Sequence, residues 1–462
     1  MNIKRTICNS SALLLLLYCW TICFGASGQQ DEAVGIVLDI LKSGDQEMQA
    51  VAIAMVKDMP GTEVTKALVK ELPNLSAASQ VQLLSALSDR GDAAALPAVI
   101  TAVKAEDESV RIAALKAVGQ LGDESSVDLL ARTAAAIRGA EQKAARESLY
   151  RLRGAKVDET ILTGITKAQS KTKVELIKSA GERNISAGVN TLLKTAKDSD
   201  RKVRLESLKV LKIVAGPEHL PAMVELLLNL QSSSDLNEAR KTIASVAHQI
   251  EDKNRQAEAV LAVLPSVKDV KKRCSLLSVL GKIGDSSALP LLREALGSNN
   301  IEKRGAAIRA LAEWPTSVPA ADLMKAAENS ENKLHRILAL RGFVQMLALD
   351  NTRSTEETVT MYKKAMALAS DAGEKKRVLS GLANMKSLDA LTMATGYLED
   401  KALLKEAESA AVKIAGGIYE RFPRQTRDVL KKILQTSKNE VLQKQAQEVI
   451  NKIDGSGKQV ED

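Results

Sequence analysis

Aromatic residues are scarce, making up 2% of the 462 residues. A chain so poor in them must fill its core with aliphatic side chains, and it has little on which unpaired bases could stack, so a nucleic-acid partner is not expected. Histidine occurs three times. His219, His248 and His335 stand far apart, without acids or cysteines at ligand spacing, so no metal site is expected. Walker, GxGxxG, GxSxG and HExxH motifs are missing, which removes the sequence support for nucleotide, dinucleotide, serine-hydrolase and zinc-protease chemistry. No cofactor and no catalytic residue is expected. Carboxylates are plentiful, but their spacing does not separate an acid/base pair from helix caps and solvated faces.

Of the four cysteines, Cys8, Cys19 and Cys23 fall near the start. That start reads as a leader: Lys4 and Arg5 supply positive charge, Ala12 to Phe24 is an apolar run, and Ala26-Ser27-Gly28 offers small residues for cleavage. The run is shorter than the roughly 20 apolar residues of a membrane span. Residues 1–28 are therefore expected to be a signal peptide and the protein exported, periplasmic or extracellular, with an uncleaved anchor as the alternative. The remaining cysteine, Cys274, has no partner for an internal disulfide and no histidine near it in sequence; it reads as a half-buried structural thiol. The net charge of +8 is mild for this length and favours anionic partners without demanding one.

What the chain has in abundance is one unit, repeated. In the stretch from Asp92 to Leu130, Leu96, Val99, Ile100 and Val103 fall on one face of a first helix, with Pro97 in its first turn, where the missing donor costs nothing. A second helix follows Asp107, whose carboxylate caps its free amides. Val110, Ala114, Leu115, Ala117, Val118 and Leu121 make it apolar nearly all round, with Lys116 and Gln120 as a polar stripe. Such a helix needs cover from neighbours on both sides. Gly122-Asp123 stops it and caps the next.

Arg111 serves as a register mark. Matching segments place it at Gln49, Gln80, Arg111, Arg146, Lys173, Arg204, Arg240, Arg273, Arg304, Arg336, Arg377, Lys405 and Gln443, in steps of 27 to 41 residues with 31 recurring. A period in this range marks a solenoid. The expected fold is all-α, an α-solenoid of about thirteen antiparallel helix pairs over residues 29–453, with 454–462 as a disordered tail. Four residues before the mark stand capping residues: Asp45, Ser76, Asp107, Asp200, Asp269, Asn300, Asn332 and Asn439. A cation one turn later can reach the cap or a neighbouring turn, so the mark reads as a structural ladder. Residues 351–375 lengthen one connection, with Ser354 to Glu357 as a capping box. Trp314 and Phe343 read as gap fillers between repeats.

With ESVRIAALKAVGQLGD (108–123) and GDSSALPLLREAL (284–296), the chain resembles the HEAT repeat family, in the short bacterial form also seen in phycobilisome lyase-type proteins. The resemblance runs over residues 31–453. It implies a HEAT/armadillo-like superhelix whose second helices line the concave surface. Five residues after the mark come Lys116, Arg151, Lys178, Lys209, Ser245, Ser278, Arg309 and Arg341, a broken basic stripe for that surface. The competing reading is a solvated face, with Glu182 and Glu313, four residues after Lys178 and Arg309, neutralising them.

The function expected is an exported, non-catalytic scaffold that binds a partner along its concave face, through Lys116, Arg151, Lys178, Lys209, Arg309 and Arg341. That partner is expected to be a protein, with an anionic glycan or envelope lipid as alternatives. A HEAT-type enzyme or lyase-like accessory, or a self-associating envelope component, are the other readings.

Overall fold

A computed structural model describes residues 27–349 and 353–457. The expected leader lies outside these, save that Ser27 and Gly28 open the helix Ser27–Lys42. Among the described residues the chain has no strand, and it runs as thirteen helix pairs, from Ser27–Lys42 and Gln46–Val56 to Pro423–Thr436 and Glu440–Gly457. The fold is an all-α solenoid. It separates into two compact units, the first ending at Ala215 and the second beginning at Gly216.

The reference pair shows why these residues make these elements. A short 3-10 turn, Ala93–Ala95, capped by Asp92, leads into Leu96–Ala102 with Pro97 in the first turn. The second helix is Glu108–Leu121, and one Asp107 carboxylate oxygen accepts from the amides of Ser109 and Val110. Val110, Ala114, Leu115, Ala117, Val118 and Leu121 are buried, whereas Lys116 and Gln120 are exposed. Asp123 caps the next turn through the Ser125 amide. In each unit the second helices of successive pairs pack against each other more extensively than the first helices do, as their wide apolar faces require.

Glycine permits the tightest of these approaches. A methyl group on Gly281 of Val270–Ile283 would lie 2.3 Å from the Ala310 carbonyl oxygen on Ile301–Ala312. One on Gly119 would lie 2.7 Å from Ser148. At Gly281 backbone meets backbone, and at Gly119 the backbone meets the Cβ and Oγ of Ser148, so that no larger side chain fits at either.

All eight caps form: Asp45, Ser76, Asp107, Asp200, Asp269, Asn300, Asn332 and Asn439 each accept from amides in the first turn of a second helix. The box at Ser354 and Glu357 opens Thr355–Leu368. Trp314 and Phe343 are each 2% exposed and belong to the core. Helix Glu440–Gly457 continues past Ile453, the expected limit of the repeats, and Asp454 there pairs with Arg427 of Pro423–Thr436. This ion pair ties the added turn to its neighbour. The rest of the expected tail, 458–462, lies outside the described residues.

Candidate functional site

The register mark is structural. Arg111 donates to the carbonyls of Ala105 and Glu106 in the turn before its own helix, at 2.9 and 2.6 Å, and its Nε donates to Glu141 of the following second helix at 2.5 Å. Arg204 holds both equivalent turn carbonyls in its repeat, and Arg304 holds the first of them, that of Ser298. Glutamine can do this too: Gln80 donates to the Leu75 carbonyl and Gln443 to that of Ser437. These donors satisfy turn carbonyls that have no helical partner. Arg146 grips Glu175 with two nitrogens at 2.6 and 2.7 Å, and Lys178 adds a third bond at 3.1 Å. Burial alone would raise the pKa of Glu175, but the bonds from Arg146 and Lys178 outweigh it and hold the carboxyl below its ordinary value. Asp198 is held down in the same way by Lys173, at 2.8 Å.

A second set of arginines, ten residues after the mark, was not singled out from the sequence. Arg183 donates to the Tyr150 and Leu152 carbonyls of the preceding repeat and to Asp158. Arg90 does likewise toward Val56, Met59 and Gly61. Their common offset was the available signal, but it occurs in only these two copies.

The six stripe residues all sit on second helices: Lys116, Arg151, Lys178 and Lys209 in the first unit, Arg309 and Arg341 in the second. Lys116, Arg151, Lys209, Arg309 and Arg341 are exposed, and Lys178 is partly buried. Ser245 and Ser278, at the same offset, are also partly buried. Lys116, Arg151, Arg309 and Arg341 make no ion pair with any described residue. The neutralisation expected from acids four residues on takes another form. Lys178 bonds Glu175 instead, Lys209 pairs with Glu206 at 3.5 Å, and Glu313 pairs with Lys282 at 2.8 Å. An acid three residues earlier, or a lysine of the neighbouring helix, is the nearer partner.

Cys274 is free and partly buried, and burial raises its thiol pKa, which keeps it protonated and unreactive. His248 Nε2 donates to the Ile283 carbonyl at 2.8 Å. His335 is 4% exposed, and burial, with Arg304 and Arg309 nearby, lowers its pKa. Among the described residues no cluster of three or more histidines, cysteines or acids is placed to hold a metal, and no helix is long and apolar enough to cross a membrane.

Each unit has grooves of several hundred Å³, and one in each is lined by residues of more than one repeat. The one in the second unit, about 590 Å³, is crossed by the Arg293–Asp322 ion pair and bordered by Arg304, Lys325, Glu331 and His335. The one in the first unit, about 620 Å³, lies over the starts of Ala140–Arg151, Ser170–Glu182 and Arg201–Val214. Arg138, Arg146, Lys171, Lys178, Arg201 and Lys202 line it, against Glu175 and Asp200.

Helix pairs in a shared register, stacked through their second helices and tied by a repeated polar ladder, define a HEAT/armadillo-type solenoid. The model for HEAT repeats matches residues 65–150 and 257–343, so the chain carries HEAT repeats in both of its units. Solved structures with the same fold include Kap121p bound to the SUMO protease Ulp1p (TM-score 0.53, 10% identity, 97% of this chain and 55% of that one). Kap121p bound to Pho4p is similar (0.53, 10%, 94% and 55%), as is Kap95p in its complex with RanGDP (0.52, 12%, 97% and 72%). The chain spans about half the length of the Kap121p structures. No curated protein matches it in sequence.

Proposed function

We propose that the protein is an exported, non-catalytic scaffold that binds a protein partner across its second helices. The observation that carries this reading is the recurrence, at one offset in the repeat, of exposed cations left unpaired by the rest of the described chain: Lys116, Arg151, Arg309 and Arg341. Arg111, Arg146 and Arg304 in the same helices are committed to turn carbonyls and acids, whereas these four remain free to meet a partner. Within each unit, packed helices present such groups without an ordering cost at the moment of binding. The similar solved structures include complexes with other proteins, Ulp1p and Pho4p, which supports protein as the partner class. Export is supported by the composition of residues 4–28.

Reversing Lys116, Arg151, Arg309 and Arg341 together is expected to abolish recovery of the partner by crosslinking and mass spectrometry, with the helical circular dichroism retained. Recovery equal to wild type sinks the basic-stripe form of the reading. Sequencing the amino terminus of the protein isolated from cell fractions tests export: a start beyond Gly28 outside the cytosol is expected, and an intact leader on a cytosolic protein overturns it.

A further inference from the structure

The groove of the first unit is basic beyond what the fold uses. Glu175 is already committed to Arg146 and Lys178, at 2.6–3.1 Å. Asp200 is committed to the amides of Lys202 and Val203. That leaves Arg138, Lys171 and Lys202 around the groove, all exposed and without an ion pair to any described residue. Three neighbouring unneutralised cations repel one another, and a ligand carrying carboxylates relieves that repulsion. Two of the second helices that open here, Ala140–Arg151 and Ser170–Glu182, begin at Gly139 and Gln169 with no side-chain cap, unlike those that begin at Asp45, Ser76, Asp107 and Asp200. Their positive ends add to the same field. The floor is aliphatic, with Ile137 and Val174 half-buried. No aromatic side chain lines the groove, so bases have nothing to stack on. The volume of about 620 Å³ suits a short run of side chains.

We propose that this groove holds an acidic segment of a partner protein, in which carboxylates flank an aliphatic side chain. The carboxylates meet Arg138, Lys171 and Lys202, and the aliphatic group rests on Ile137 and Val174. A recess ringed by cations and floored by aliphatics fits an amphipathic peptide better than a flat headgroup layer, whose charges meet protruding side chains. This inference deepens the scaffold reading and rests on it, naming the chemistry of one contact.

Fluorescence anisotropy of the full chain with a labelled peptide of alternating glutamate and leucine tests the assignment. Saturable binding is expected, weakened about tenfold or more by Arg138→Glu, Lys171→Glu and Lys202→Glu together, and weakened by salt as surface charges are screened. The fold tolerates these changes, since Lys171 and Lys202 lie in the first turns of their helices, where an acid is favoured; circular dichroism verifies it. A glutamine-for-glutamate peptide is expected not to bind. Equal binding of the two peptides, or no loss in the triple variant, overturns the proposal. So does binding of anionic vesicles, heparin or inorganic phosphate through these three residues without binding of the peptide. Partner recovery with the stripe variant of the preceding section reads the scaffold separately, so a failed groove leaves that result standing.

Discussion

In the unit that ends at Ala215, three of the register marks reach ionised partners, Arg111 with Glu141, Arg146 with Glu175, and Lys173 with Asp198 in the adjoining turn, while Gln49 and Gln80 hold carbonyls. In the unit that begins at Gly216, four of the marks reach neutral acceptors and none forms an ion pair with a described residue. Arg240 donates to the Ser275 hydroxyl, Arg273 to the Val267 carbonyl, Arg304 to the Ser298 carbonyl and Arg336 to the Ser370 hydroxyl. Packing takes over there. Trp314, Phe343 and Tyr362 are the largest fully buried side chains, all in the second unit, and Gly281 lets two helix backbones touch. One repeat pattern thus carries two kinds of fastening. Apolar packing stabilises in proportion to the contacts made, whereas a desolvated ion pair fixes register while contributing little net stability, and is costly to break on one side only.

The largest expected effect tests the packing side of this contrast. Trp314→Ala empties a fully buried site and is expected to cost about 3–5 kcal/mol. Hydrogen exchange read by mass spectrometry should accelerate across 257–343, with residues up to Ala215 unchanged. Equal loosening of both units would erase the distinction between them.

Next in size is the ionic side. Glu175→Gln removes the charge that Arg146 and Lys178 share, for about 1.5–3 kcal/mol, the range of hydrogen bonds to charged groups. Its signature is in the pH dependence. Because the pKa of Glu175 is depressed in the folded chain, its stabilisation is full above the ordinary carboxyl value of 4.5 and is lost as pH falls through the lower folded value. Thermal melts from pH 7 to pH 3 should therefore show a shallower acid decline in the variant than in the wild type. Parallel curves would mean that the Arg146–Glu175 grip contributes nothing.

The same contrast explains what could be read from the sequence. The caps could, because a cap and its amides lie two or three residues apart and eight copies repeat the spacing. The ladder could be read as structural from its offset, but its acids could not be assigned. Glu141 lies five residues before the next mark and Glu175 two after it, so the acceptor thirty residues on has no fixed position in the repeat. The stripe's neutralisation was misplaced for a related reason: Lys178 has Glu175 on its own helix, and Glu313 has Lys282 on the adjacent one. Past residue 28 the second unit holds six of the seven aromatic residues, but that excess puts no mark at Ala215 and Gly216 themselves. The groove over Ile137 is assembled from three consecutive repeats, and the one local trace of it is Gln169 standing where other copies place a capping acid, asparagine or serine.

That trace supplies the smallest and most local test. Asp107→Ala should cost about 1 kcal/mol, the usual worth of a helix cap, with faster exchange at the start of Glu108–Leu121. Gln169→Asp should do the reverse and stabilise Ser170–Glu182 by up to about 1 kcal/mol, since its first turn has no side-chain cap. If the open helix start serves the groove, the gain comes with weaker binding of the glutamate–leucine peptide, because the new carboxylate occupies the amides and neutralises part of the local field. A more stable protein that binds the peptide undiminished would leave the cations as the whole of the site and the missing cap without a role in it.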